Sequence, residues 1–553
     1  MLLNKKLFFE TVKINNLKYK EKKKMKLKKT MALVLSMLTL LSGAACVGSG
    51  NEEKIDSAQT LDIMCLNKGF GTKWLEALIN NYKVQNPDIT ITTRYEIEDT
   101  IMTGQLELGL EYSKYDLFFT GYTVDPYIKD CLKGSSKALL ADLTSLYNTE
   151  VDGEKIKDKI EPQLLKAYTN YKADGTEAYY TLPWIQTKSS LVVNNATLKK
   201  ALGENWQETY PMRTTEEFLA LCKALKSRNV SPFIYAGNNA YYDSFAEVLW
   251  AQYEGMENVD RFYDGLAWDE DQEKYRISNK IFDQEGRQKS LEVLAEMFDS
   301  SVGLCHKSSG QNWNSVQMTF MAEGEVGFLP CGDWLQGEMK NNFPNGDILM
   351  LKTPIISSLG EKLGITEAEL IACVDYADGR TTQVPTVNPT GDYTADEVVE
   401  KVTEARRIVF SIADYHTAYV ADYSLGKETA IDFLKYMISD EGQKIYAKAA
   451  GGLVLPYGYN MKEDSEVWAS YDAYAKSSWN LSENMIFYTR HTYAPLGGAG
   501  LTPFGIVKDS KAGGPLEMLM YEYGKTPKQI YDYDINYYAG SAWTDLLRVA
   551  GLN

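Results

Sequence analysis

Apolar residues between positions 60 and 120 fall into two alternating patterns. Residues 60–66 form a short apolar run that reads as a β-strand, and residues 67–72, with Gly69 and Gly71, read as a turn. Residues 73–82 then place Trp74, Leu75, Leu78, Ile79 and Tyr82 at helical spacing. Asn86, Pro87 and Asp88 end that helix. Residues 89–95 alternate and are β-branched, which predicts a second strand, and residues 115–120 predict a third that opens into Gly121. Strand–helix–strand order with polar, glycine-bearing turns implies an α/β sheet with parallel pairs. Ligands on such sheets sit outside the carboxyl ends of the strands. That selects the turns at 67–71 and 120–122 as candidate site loops.

The same patterns continue downstream. Residues 178–184 and 190–195 are apolar runs, and residues 216–228 and 242–252 have helical spacing. Residues 311–321 lead into a glycine-bearing apolar stretch at 322–334. Residues 355–407 read as a polar insertion with helices near 367–371 and 395–407. Residues 427–438 form an amphipathic helix with its apolar face at 430, 431, 434, 437 and 438. Residues 439–443 break that helix and begin another. Residues 526–538 are rich in Tyr, with a short helix expected near 544–549. No short-period repeat is present.

The length of 553 residues suggests more than one domain. With 44% hydrophobic and 24% charged residues the chain has ordinary globular composition. Only residues 31–45 approach membrane-spanning length, which excludes a multi-span membrane protein. A net charge of −17 repels phosphate backbones, so nucleic acid is excluded as a partner. That charge is segregated. Residues 1–30 hold eleven Lys against Glu10 and Glu21, a net +9; residues 31–45 hold none, which leaves −26 from Cys46 onward. A basic leader, an apolar core of signal-peptide length and the small residues Ser42, Gly43, Ala44 and Ala45 form an export pattern, with residues 1–45 as signal peptide and Met25 as an alternative start. Cys46 stands where a bacterial lipoprotein signal places its lipidated cysteine, although Gly43 replaces the usual Leu. Ordinary secretory cleavage near Ala45 is the alternative. Residues 46–57 read as a polar tether. The six remaining cysteines form no CxxC or Cys/His cluster and are expected to be mostly free, buried thiols.

Four stretches together carry a family resemblance. They are the strand, glycine turn and Trp74 helix; Tyr180-Thr-Leu-Pro-Trp184 followed by Leu191-Val-Val-Asn-Asn195; Phe320-Met-Ala-Glu-Gly-Glu-Val-Gly-Phe-Leu-Pro-Cys-Gly-Asp-Trp334; and residues 430–443 with 451–456. In this order the chain resembles the extracellular solute-binding proteins of carbohydrate ABC importers, the group containing the maltose-binding protein. The resemblance spans residues 60–460 and is loose over 355–407 and the tail. It implies an α/β fold: a two-lobed periplasmic-binding-protein-like clamshell of type II, each lobe discontinuous in sequence. Lobe one would be 58–183 with 355–455, and lobe two 190–353 with 456–553, crossing near 183–191 and 352–354. It further implies a carbohydrate ligand held between the lobes, ABC permease subunits as partners, a monomer lipid-anchored on the extracytoplasmic face, and no cofactor.

A sugar needs flat aromatics for its C–H faces and carboxylates or amides for its hydroxyls. The resemblance makes Trp334 with Asp333 the leading pair, at the family position where an aromatic at a helix start faces the cleft. The alternative is a core Trp with a helix-capping Asp. Trp184, after a Pro at the inferred hinge, and Tyr122, after a strand end, follow. Asn67 and Lys68 lie in the first βα turn, where a solvated turn is the alternative. Tyr241, Tyr242 and Asp243 follow a glycine turn, and Trp313 begins a helical segment where a core position is as good a reading. Gly452 and Tyr457 rank lowest. For catalysis there is little support. His306, His416 and His491 have no partners spaced for a metal, and no GxSxG, P-loop or HExxH occurs. Pairs such as Asp62/Asp116 or Asp333/Glu338 leave a secreted glycosidase as the alternative from another class. A receptor for a peptide or an anionic solute is a third reading, for which Lys68 and Arg94 would be the basic patch.

Overall fold

The computed structural model describes residues 60–552 apart from 123, 238–241, 299–302, 505–518 and 520–524. The leader, Cys46, the tether and Tyr241 therefore lie outside the described residues. The chain opens with β1 (Thr60–Leu66), α1 (Lys73–Gln85), β2 (Thr90–Glu96), α2 (Asp99–Leu108) and β3 (Leu117–Phe119). β1 pairs in parallel with both β2 and β3, and α1 buries Trp74, Leu75, Leu78, Ile79 and Tyr82, the positions its periodicity marks. After a loop-rich stretch, β4 (Leu182–Pro183) joins the far side of this first sheet.

The chain then enters a second sheet through β5 (Ser189–Asn194). It continues through β6 (Ser231–Phe233), α3 (Tyr242–Glu254), α4 (Trp313–Met321), β7 (Val326–Gly332), α5 (Leu335–Met339) and β8 (Ile348–Leu351). Every residue of β5 and β7 is buried. β7 is a nearly continuous apolar run because it is covered on both faces, while β5 is apolar only at Leu191, Val192 and Val193, its buried Ser190 and Asn194 being hydrogen-bonded to Leu351 O and Phe320 O. On one side lie Val316, Phe320, Leu335 and Met350; on the other, Phe218, Phe245 and Trp250.

Residues 355–407 differ from the expected arrangement. The expected return to lobe one at 352–354 does not occur, because α6 (Glu367–Ala377) and α7 (Ala395–Arg407) bury Leu370, Val374, Val398 and Val402 in the core that also holds Trp250 and Phe328. Both helices begin with a reciprocal capping box, Thr366 with Glu369 and Thr394 with Glu397, so the segment is well-formed secondary structure with an apolar side to cover. The chain remains with the second sheet through β9 (Ile408–Phe410) and only then returns to the first as β10 (Thr417–Val420), between β3 and β4. Helices α8 (Lys427–Ile438) and α9 (Asp440–Ala449) cover the first sheet; α10 (Ala473–Ser482), β11 (Ile486–Tyr488) and α11 (Pro527–Tyr538) return to the second. On α8, Phe433 is buried along with Ala430, Leu434, Met437 and Ile438, while Ile431 is only partly covered.

The chain thus passes between the sheets near 184–188, 411–416 and 456–472. These passages are tied together. Gln186 N–H donates to Val454 O (2.8 Å), Trp184 N–H to His416 O (3.3 Å), and Ile412 N–H to Thr187 Oγ1 (3.2 Å). Tyr457 Oη donates to Pro183 O (2.6 Å) and Tyr168 Oη to Ala413 O (2.7 Å). Three adjacent strands between two separately cored lobes form a hinge. The six described cysteines are free, with Cys65, Cys222, Cys331 and Cys373 buried.

Candidate functional site

The carboxyl ends of β1 and β3 present two loops held by one carboxylate. Asp99 accepts the Gly121 N–H at 2.9 Å and pairs with Lys68 at 3.1 Å. Gly121 is a close approach: a Cβ there would stand 2.6 Å from the Leu66 side chain. Asn67 and Lys68 are exposed. Tyr122 is 57% exposed at the lip of the loop, its carbonyl fixed by the Thr417 hydroxyl at 2.9 Å.

The second lobe contributes the turn between β7 and α5. Trp334 is 5% exposed, and its ring folds back over Gly332, where a Cβ would stand 2.1 Å from the indole. From the first lobe Phe70 meets that ring edge-on at 5.8 Å, and also meets Trp184 at 5.9 Å and His416 at 4.8 Å. The two lobes touch here through backbone. A Cβ on Gly337 would stand 3.0 Å from Gly69 O, and one on Gly69 would stand 2.9 Å from the Glu338 carboxylate. Glu338 accepts from Gln317 at 2.8 Å, and burial pushes its carboxyl up.

Asp333 differs from both of its expected roles. It does not cap α5, and its side chain is turned into the interior rather than to the cleft. It forms an ion pair with Lys188 at 3.1 Å, with side chains 1% and 0% exposed, and its N–H donates to Lys188 O at 2.9 Å. Burial pushes the Asp333 carboxyl up, against the pull of the Lys188 ammonium. The pair joins the first hinge strand to the Trp334 turn. Trp184 also departs from expectation. It is fully buried, stacked on Trp74 at 5.1 Å, with its indole N–H donating to Thr120 O at 2.8 Å. It is a hinge residue whose ring backs Phe70.

Further along the second lobe, Tyr242 is buried against Tyr235 and Phe298, a core position. Asp243 is half-buried and pairs with Arg490 at 2.7 Å. Arg490 also holds the buried Glu247 at 2.8 Å; burial pushes that carboxyl up while Arg490 pulls it down. Trp313 opens α4, partly buried against the second sheet's core, with Asn312 capping the helix. Tyr457 and Gly452 (φ +106°) serve the hinge, Gly452 passing so near Ala475 that a Cβ would stand 2.6 Å from it. In the middle hinge strand, burial raises the Asp414 carboxyl to about 7, with Thr492 donating to it at 3.3 Å, and burial lowers His416 to about 4, its Nδ1–H donating to Ile412 O at 2.9 Å.

Of the residues marked from sequence, Asn67, Lys68 and Tyr122 share the exposed loops of lobe one, and the buried Trp334 meets Phe70 of the first of them. Phe70, Asp99, His416 and Arg490 were missed. Phe70 had a signal, since a Phe flanked by two glycines at a strand's carboxyl end is built for close approach; the other three had none. No group of three or more His, Cys, Asp or Glu side chains converges as a metal site among the described residues. The arrangement brings aromatic rings of both lobes together beside the exposed hydrogen-bonding loops of lobe one, with a hinge behind them.

No curated protein matches the chain. Solved structures share its fold. A probable secreted solute-binding lipoprotein from Streptomyces coelicolor superposes with a TM-score of 0.52 at 11% identity, covering 87% of this chain and 99% of its own. The GacH receptor of Streptomyces glaucescens, solved unliganded and with acarbose, gives 0.52 at 14% identity, covering 88% and 98%. A protein from a study of xylan utilization by Caldanaerobius polysaccharolyticus gives 0.51 at 15%, covering 86% and 99%. The family model described as bacterial extracellular solute-binding protein matches residues 77–476, more than half of the sequence. The chain belongs to the bacterial extracellular solute-binding proteins.

Proposed function

We propose that the protein captures a neutral sugar or oligosaccharide between its lobes and delivers it to an ABC permease. The observation that carries the reading is the meeting of Trp334 with Phe70 of the first loop at the interlobe face, beside the exposed Lys68 and Tyr122; opening of the lobes would uncover the indole, which is 5% exposed here. An aromatic face with hydroxyl-bonding groups across from it is what a pyranose ring requires. The acarbose complex of the structurally similar GacH receptor supports the ligand class. Capture works through the hinge, because only the closed form lets both lobes touch one ligand. Export through the 1–45 leader and lipidation at Cys46 would hold a monomeric receptor on the extracytoplasmic face; no described helix is long and apolar enough to cross a membrane. A single acyl chain binds weakly, so stable anchoring needs more than one.

A glycosidase would need two carboxylates facing one sugar ring. Asp333 is tied to Lys188, and Asp116 accepts the Asp62 N–H at the amino-terminal edge of the first sheet, the opposite end from the loops. The test is a thermal-shift screen against neutral sugars, peptides and anions, with the sugar recovered and sized. Ligand binding to the native state alone raises the melting temperature. A shift with intact neutral sugar supports the receptor. Shifts with peptides or anions alone would sink the carbohydrate assignment, and shortened sugar would replace the receptor with an enzyme.

A further inference from the structure

Beside the second sheet lies a cavity of about 950 Å³ that shares no lining residue with the interlobe contact around Trp334. It is walled by the segment after Trp206, by β8, by the ends of α6 and α7 and by α10. The insertion at 355–407 therefore supplies one whole wall. Its volume lies within the range of small-molecule sites.

The lining has two chemistries. Tyr210, Met212, Leu349, Leu351 and Leu481 give an apolar wall. Facing it are five cations, Lys352, Arg380, Arg406, Arg407 and Lys462, against two carboxylates, Asp378 and Glu483. In a chain of net charge −17 this local excess of positive charge stands out. The carboxylates are already committed. Asp378 takes Arg406 at 2.9 Å and Lys352 at 3.0 Å, with Arg380 at 3.5 Å; burial pushes its carboxyl up, but the pull of Arg406 and Lys352 outweighs it and lowers the carboxyl to about 2. Glu483 takes Lys462 at 3.3 Å. Arg406 also donates to Thr353 O at 2.8 Å and is buried. Arg380 is about half exposed and pairs with Asp375 at 3.2 Å and with Asp378 at 3.5 Å, and Arg407 has its Nε on Asn484 O with the Glu161 carboxylate as an electrostatic neighbour. Both residues line the cavity, each with five N–H donors of which these contacts use only some, and guanidinium is the group that binds carboxylate or phosphate in two parallel hydrogen bonds.

The geometry points to a second ligand site, independent of the interlobe cleft, for a small organic anion: a carboxylate or phosphate carried on an apolar ring or chain. Arg380 and Arg407 hold the anionic head, and Tyr210, Leu349 and Leu481 cover the body. Because Lys462 belongs to the third hinge strand, an occupant also touches the segment that moves when the lobes close.

Calorimetry on the full-length protein at 0.15 M salt tests this with phenyl phosphate and phenylacetate as probes and benzyl alcohol as the neutral control. The expected result is one-to-one binding of at least one anion, with the neutral analogue at least 10-fold weaker. Which anion binds distinguishes the phosphate and carboxylate sources. Arg407→Gln and Arg380→Gln weaken the anion at least 5-fold, and Asn480→Trp, an exposed position on the cavity rim, blocks it. All three variants keep the wild-type melting temperature and leave any ligand of the cleft unaffected. Absence of anion binding at millimolar concentration, equal binding of the neutral control, or unchanged affinity in the folded variants would each overturn the site.

Discussion

Replacing Lys188 by Met isolates the strongest electrostatic element of the hinge. Lys188 and Asp333 are 3.1 Å apart with essentially no solvent exposure. At an effective dielectric constant of about 20, two unit charges at that distance attract by about 5 kcal/mol. Burying two ions costs several kcal/mol each, so the intact pair contributes little net stability. Removing one partner is different, because it leaves a buried carboxylate without a counter-charge, and the expected loss is about 3–5 kcal/mol. That carboxylate is already pushed up by burial. Without Lys188 it takes a proton more readily, so the loss should shrink as pH falls from 8 to 5: the native state then binds the proton while the unfolded state remains ionised. Urea unfolding followed by tryptophan fluorescence measures this. The double variant K188M/D333L removes both charges and should return to within about 1 kcal/mol of the parent. A single-variant loss below about 1 kcal/mol at pH 8, or a double variant no better than the single, would refute the reasoning.

Three other perturbations follow from the same geometry. Gly332→Ala puts a methyl 2.1 Å from the Trp334 ring; the expected result is about 1–3 kcal/mol of lost stability and at least 10-fold weaker sugar binding by calorimetry. Phe70→Ala removes the edge-on ring that links the lobes at Trp334, Trp184 and His416, and small-angle scattering should show a more open average shape without ligand. Asp414→Asn tests the hinge carboxyl raised to about 7: between pH 4 and 7 the native state holds a proton that the unfolded state has lost, so parental stability falls as pH rises through that window. The variant should gain relative to the parent across it, reaching up to about 4 kcal/mol above pH 7 and converging with it below pH 4.

What could be read from the sequence was local. The Trp74 helix, the parallel strands around it and the helices at 395–407 and 427–438 are visible because burial imposes a short period on neighbouring residues. The path between lobes was not visible. Nothing in residues 352–354 shows that the following helices cover the second sheet, since an amphipathic helix records that it has a partner and not which one. Trp184 shows the same limit in the site: a Trp after a Pro at a hinge reads equally as a ligand platform or as packing, and its stacking on Trp74, 110 positions earlier, decides the matter. Asp333 before Trp334 looked like a sugar-binding carboxylate because its counter-charge is 145 positions away. The loops at 67–71 and 120–122 were found because the carboxyl ends of parallel strands are where such sheets leave room.

The central claim is that a neutral sugar is held at the Trp334 face by both lobes. The most direct test is calorimetric titration of neutral oligosaccharides into the parent protein and into Trp334→Ala, with the sugar recovered and sized afterwards. The account predicts saturable one-to-one binding by the parent, at least 10-fold weaker binding by the folded variant, and sugar recovered intact. Equal affinity in parent and variant, or shortened sugar, would contradict it.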